Sequence, residues 1–132
     1  MKSLIRVRIS AHDVHYGGDL VDGAHVMGLF GDACTEICIL HDGDEGLSRA
    51  YREIEFLAPI RAGDFVEVRA ELTHVGQSSR EVRLTAHKVI EAAYDDSPSR
   101  AEALPEPLLV CHATAICVVP PDKQRGQSAR TA

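Results

Sequence analysis

Asp32 and Glu36 lie four residues apart, the spacing of a chemical pair if the segment is helical. On a helix, side chains at i and i+4 are neighbours. Two carboxylates that close raise each other's proton affinity, which is one way to hold an acid and a base together at neutral pH. With Val26 as zero and a step of about 100° per residue, the apolar positions Val26, Leu29, Phe30, Ala33, Ile37 and Leu40 span about 300° through 0° to about 40°. By the same step His25 falls at about 260°, Asp32 at about 240° and Glu36 at about 280°. Three titratable groups therefore share one stripe beside the apolar one. The solvated flank of an ordinary amphipathic helix has the same appearance.

Three further clusters have chemical potential. Asp13, His15, Tyr16, Gly17, Gly18 and Asp19 crowd donors and acceptors into one segment. Such a loop suits a ligand, although turns use the same residues for their own hydrogen bonds. Gly23 and Ala24 would open the helix. Their free N–H groups and the positive dipole end suit a developing oxyanion. In Gly76-Gln77-Ser78-Ser79-Arg80, the hydroxyls of Ser78 and Ser79 and the Arg80 guanidinium suit a phosphate, and a plain hairpin turn has the same composition. There is no glycine-rich dinucleotide loop, Walker loop or serine nucleophile elbow. Of the four cysteines, Cys34 and Cys38 are spaced i, i+4 but have no matching second pair, so no metal site is expected. With Cys111 and Cys117 they lie in apolar runs and are expected to be buried and reduced.

The elements that must position these groups follow from periodicity. Leu4 to Ile9 alternates as a short strand, and Ser10 to Gly23 reads as a loop. Asp22 caps a helix that Asp42-Gly43 stops. Leu47 to Leu57, Phe65 to Val75, Arg80 to Ile90 and Leu108 to Val119 read as four strands, paired antiparallel through hairpin-type connections. Glu91 to Pro107 is rich in Pro, Ser and acids and reads as an excursion too polar for a strand. A single domain is expected over 1–120, followed by a polar tail, 121–132, expected to fray.

The chain of 132 residues is 45% hydrophobic, enough for a core without staples. Twenty acidic residues against 14 basic give a net charge of -6, which argues against nucleic acid or an anionic membrane as partner. No run approaches 18 consecutive apolar residues, and the alternating N-terminus lacks the apolar block of a signal peptide. A cytoplasmic protein with no membrane partner is the expectation.

One long helix and about five antiparallel strands pack most economically with the helix across the concave face of a curved sheet. Gly28 and Gly31 would each cost the helix about 1 kcal/mol relative to Ala, tolerable where a strand or ligand approaches its backbone. The strand–helix–four-strand order resembles the hotdog fold, an α+β architecture.

The residues also resemble a particular family. His15-Tyr16-Gly17-Gly18-Asp19-Leu20-Val21-Asp22-Gly23-Ala24, Gly31-Asp32-Ala33-Cys34-Thr35-Glu36, Asp42 to Leu47, Tyr51 to Pro59 and Ala62-Gly63-Asp64-Phe65 are similar to the 3-aminobutyryl-CoA and β-alanyl-CoA ammonia-lyases. The likeness runs from about His12 to Ile90. The Pro-x-x-x-Gly-Asp turn at Pro59 to Asp64 is general to hotdog acyl-CoA proteins, whereas Gly-Asp-x-x-Thr-Glu is more discriminating. The resemblance implies reversible loss of ammonia from a 3-aminoacyl-CoA to give the 2-enoyl-CoA, in amino-acid catabolism such as lysine fermentation. It implies no redox or metal cofactor, coenzyme A being part of the substrate, and a homo-oligomer of two, four or six subunits. Glu36 and Asp32 are then the expected base and ammonium partner, with Asp13 and His15 next. A hotdog acyl-CoA thioesterase is the alternative, although its usual acid position falls near Gly31. A non-catalytic acyl-CoA binding protein is the third reading.

Overall fold

A computed structural model describes residues 1–126. Five strands form one antiparallel sheet in the order β1-β5-β6-β7-β4: β1 is Lys2–Arg8, β4 Leu47–Phe56, β5 Phe65–Val75, β6 Ser79–Ala92 and β7 Ala101–Val118. The helix α1, Gly23–Asp42, lies against one face of this sheet. This is the expected α+β hotdog arrangement.

Alternation decides which residues meet the helix. Val68, Ala70 and Leu72 of β5 pair with Ala86, Leu84 and Val82 of β6, and Cys111, Ala113 and Ala115 of β7 continue the same rows. Against them α1 buries Val26, Phe30, Ala33, Cys34, Ile37 and Cys38. By length and hydropathy the 20 residues of α1 equal a membrane span, and here the sheet supplies the apolar surroundings for one face.

Both ends of α1 are set by its sequence. Asp22 is extended and its carboxylate accepts the His25 N–H, while Gly43 takes the left-handed conformation at φ 70° and its N–H donates to the Ile39 carbonyl. At that C-terminal end the Arg125 N–H donates to the Asp42 carbonyl at 2.7 Å. The side-chain amide of Gln124 donates to the carbonyls of Gln77 at 2.8 Å and Val119 at 2.9 Å. These bonds and the 3-10 turn Pro121–Lys123 tie the first part of the expected tail to the domain; the rest, 127–132, lies outside the described residues.

Two other segments differ from expectation. Ser10 to Gly23 is not a plain loop. Ser10 and Asp13 form a reciprocal capping box around a 3-10 turn, Ala11–Asp13, and a small hairpin follows, β2 Val14–Tyr16 with β3 Leu20–Val21. The polar excursion is also shorter. Ala92 pairs with Ala101, Glu91 with Glu102 and Ile90 with Ala103, leaving only 93–100 as a loop. The register then jumps, Lys88 facing Leu108, so Pro105 and Pro107 fall in a bulge where no ladder N–H is required. This end of the hairpin is mostly exposed on both faces at Ala101–Pro107, so no apolar alternation marks it as strand.

All four cysteines are free and buried. A hydrogen bond with Cys117, reinforced by burial, pushes the Cys38 thiol far upward. Cys117 is raised to about 12, first by its hydrogen bonding with Cys34, and Cys111 to about 11 by burial.

Candidate active site

The N-terminal end of α1 opens onto a cavity of about 740 Å³. Tyr16, Leu20 and Val21 come from the small hairpin, Asp22, Gly23, Ala24, Val26 and Met27 from the helix start, Phe56 to Ile60 from the chain leaving β4, and Val110 from β7. Backbone bonds hold these pieces together: Val21 N–H to the Ile60 carbonyl at 2.9 Å and Leu57 N–H to the Val110 carbonyl at 2.8 Å.

Gly23 leaves room for its neighbour. A Cβ there would lie 2.6 Å from Phe56 Cζ, so the missing side chain lets the aromatic ring cover the first helical residue. Behind the cavity, the turn from Pro59 to Asp64 is locked by one buried carboxylate. Asp64 accepts from Arg61 N–H and from Ala92 N–H, each at 2.8 Å, and its Oδ2 lies 3.2 Å from Lys88 Nζ. The pair is buried, with side-chain exposures of 3% for Lys88 and 1% for Asp64. The sequence signal for it was a lysine on the inward row of β6, between Ala86 and Ile90.

The structure sorts the expected site residues by place. Gly23 and Ala24 line the cavity. Asp32 and Glu36 are exposed on the side of α1 that also carries Ala24, Gly28 and Ile39. At about 1.5 Å of rise per residue they stand about 13 Å and about 20 Å along the helix from Gly23, so one chain does not bring them to its own cavity. Asp13 is engaged: its Oδ2 accepts the Ser10 N–H at 2.9 Å and lies 3.7 Å from His25 Nε2. His15 is exposed and packs edge-on to Tyr16 at 5.1 Å, and of the two only Tyr16 lines the cavity.

Ser78, Ser79 and Arg80 lie at the other end of α1, beside Asp42. The expectation that Arg80 holds a phosphate is corrected here. Its Nε and Nη2 donate to the two oxygens of Asp42 at 2.7 and 2.8 Å, and its Nη1 donates to the carbonyls of Gly76 at 3.0 Å and Ser79 at 2.9 Å. With 2% of its side chain exposed, this guanidinium joins the turn to the helix end and offers no open face to an anion. A basic residue after a serine turn has the same appearance in sequence whether it binds a ligand or another side chain. The partner that claims it, Asp42, lies 38 residues earlier.

Two features of the cavity were not anticipated. Phe56 stands at its edge, 56% exposed. Asp22, read only as a cap, is the one acidic residue among the described residues lining it.

A family model described as the thioesterase superfamily matches residues 20–91. The chain is 51% identical over 125 residues to the 3-aminobutyryl-CoA ammonia lyase of Acetoanaerobium sticklandii, covering 95% of this chain and 99% of that one. The solved β-alanyl-CoA:ammonia lyase from Clostridium propionicum superposes with a TM-score of 0.93 at 36% identity, over 97% of this chain and 91% of that one. A hexameric hotdog-fold thioesterase of Campylobacter jejuni, 13% identical with a TM-score of 0.73 over 95% and 88% of the two chains, shares the fold. The chain belongs to the thioesterase superfamily and, within it, to the family of the 3-aminobutyryl-CoA and β-alanyl-CoA ammonia-lyases.

Proposed function

We propose that this protein is a 3-aminoacyl-CoA ammonia-lyase, releasing ammonia reversibly from 3-aminobutyryl-CoA or β-alanyl-CoA to leave the 2-enoyl-CoA. The observation that carries the reading is 51% identity, across 95% of the chain, to a 3-aminobutyryl-CoA ammonia lyase. The thioesterase alternative has less support. Gly31 stands near the position where hotdog thioesterases usually carry their acid, and the similar hydrolase structures are only 13–17% identical.

The cavity suits this chemistry. A thioester carbonyl placed against the N–H groups at Gly23 and Ala24 would have its developing enolate charge stabilised there, which acidifies the C2 proton. A carboxylate takes that proton, the C2–H electron pair becomes the C2=C3 bond, and the C3–N pair departs with nitrogen as ammonia. No redox or metal cofactor is needed, and coenzyme A enters as part of the substrate.

The base we assign is Glu36, with Asp32 beside it. Because neither reaches the cavity of its own chain, the base comes from another subunit, and the working enzyme is a homo-oligomer with a shared site. Two features support assembly. The edge strand β4 and the chain after it expose Leu47, Ile54, Phe56 and Leu57, and the outward stripe of α1 is uncovered. Ser78 and Ser79 would reach coenzyme A only from a second subunit, and Asp13 and His15 stand next in line as acid–base groups. A cytoplasmic setting in amino-acid catabolism, such as lysine fermentation, completes the reading.

The test is to supply 3-aminobutyryl-CoA and butyryl-CoA to the purified protein. Ammonia release from the first without thiol release from the second is the expected result. Faster thiol release from butyryl-CoA would make it a hydrolase, and binding without turnover of either a carrier.

A further inference from the structure

An ammonia-lyase must bring a cationic group into a largely apolar cavity beside the positive end of a helix. Both features oppose an ammonium. Apolar walls withhold the solvation a charge needs, and the helix dipole repels a cation at its N-terminus. Some anion of the protein has to offset them within contact distance of the amino nitrogen. Three bonds of about 1.5 Å separate that nitrogen from the thioester carbonyl carbon, so it lies within about 4 Å of that carbon. Asp32 and Glu36 enter this cavity only from another subunit, whereas Asp22 stands in it beside the N–H groups that would hold the carbonyl.

We infer that Asp22, the helix cap, is the carboxylate that receives the substrate ammonium; the inference rests on the lyase reading and deepens it. Asp22 lines the cavity next to Gly23 and Ala24, and among the described residues it is the one acid that does so. Its Oδ1 accepts the His25 N–H at 3.2 Å, and no other hydrogen bond to its carboxylate is formed among the described residues. One oxygen is thus spent on the helix and the other is left for a ligand. The neighbouring basic side chain, His25, does not compete strongly, because its Nε2 faces Asp13 at 3.7 Å. A single residue then does two things: its charge complements the helix dipole and keeps the amine protonated until the C3–N bond breaks. Asp22 remains a carboxylate throughout. The C2 proton goes to the separate base, and nitrogen leaves as ammonia with the C3–N pair.

This assignment also sets specificity. An acyl-CoA without the amino group leaves Asp22 facing apolar carbon, so the cavity discriminates by charge, whereas the methyl that separates 3-aminobutyryl from β-alanyl carries no charge to read and is worth about 10- to 200-fold, or about 1–3 kcal/mol.

Asp22→Asn tests the idea, because asparagine caps a helix as well as aspartate does while losing the charge. The KM for 3-aminobutyryl-CoA is expected to rise about tenfold or more, the equivalent of one charge-assisted contact. Calorimetric affinity for crotonyl-CoA and butyryl-CoA, which carry no ammonium, should not fall, since no charge is then left facing apolar carbon, and Asp22→Ser, another capping variant, should behave alike. Unchanged affinity for the amino substrate in a folded Asn or Ser variant would overturn the inference and leave the lyase reading standing. An equal loss toward crotonyl-CoA would also overturn it, by showing that Asp22 acts through helix geometry. Absence of ammonia release by the wild-type protein would instead sink the lyase reading itself, and the inference with it.

Discussion

Removing one member of the Arg80–Asp42 pair would leave the other charged, buried and alone, a loss that typically costs about 3–5 kcal/mol. Arg80→Ala is therefore expected to lower the denaturation midpoint by that equivalent, while the folded fraction keeps its KM for the acyl-CoA. A raised KM at normal stability would restore Arg80 as a phosphate ligand. Glu36 makes the opposite prediction. It is exposed and makes no ion pair among the described residues, so Glu36→Gln should leave stability alone, yet turnover should fall at least about 100-fold, the lower range for a positioned acid–base group. Normal ammonia release by this variant would discard it as the base. At this scale the sequence was half legible. Periodicity put Asp32 and Glu36 on one stripe and Gly23 at the helix start. Whether a given charge is free or already spoken for depends on partners far away in the chain, as Arg80 and Lys88 show.

The elements were the most readable level, because burial enforces a period. The helix bounds were announced by Asp22 and by Asp42-Gly43, and the inward rows of β5 and β6 by strict alternation. Where a segment buries neither face, the signal vanishes, which is why Ala101–Pro107 reads as a loop in sequence although it pairs with Ile90–Ala92 at its start. Gly28 gives this level its test. It costs the helix about 1 kcal/mol against Ala, and within the chain nothing lies within 4 Å of where its Cβ would be. The proposed shared site supplies a reason for so small a residue, a neighbouring subunit against this helix face. Gly28→Leu is expected to keep the circular dichroism of the wild type and shift sedimentation to a smaller species. An unchanged oligomer would mean that this helix face meets no neighbour.

For the molecule as a whole, acid should act in two stages. The Glu67 carboxyl is held below its ordinary value, chiefly by its hydrogen bond from Arg6, so its contribution is complete above about pH 4.5 and is lost as pH falls through the folded-state value. His87 is held below 6.5, first by burial, so the unfolded chain takes up a proton before the folded one does, and stability begins to fall below about that pH. Urea midpoints should therefore decline between about pH 7.5 and about 5.5 in the wild type but not in His87→Gln, with the Glu67 loss following at lower pH. A flat profile in the upper window would show that His87 titrates alike in both states.

The thiols buried beneath the helix have a consequence for how opening of this fold can be watched. Only a thiolate is alkylated, and burial together with mutual hydrogen bonding holds Cys38 and Cys117 in the protonated form. Cys34 and Cys38 sit on α1 and Cys111 and Cys117 on β7, so lifting the helix from the sheet uncovers them together. Pulse labelling with iodoacetamide, read by intact mass, should accordingly show molecules carrying no label or four and few in between, and the rate should rise with urea as global unfolding does. The four cysteines would thus serve as a built-in clock for opening. A persistent population with one or two labels would instead reveal that part of the helix detaches by itself.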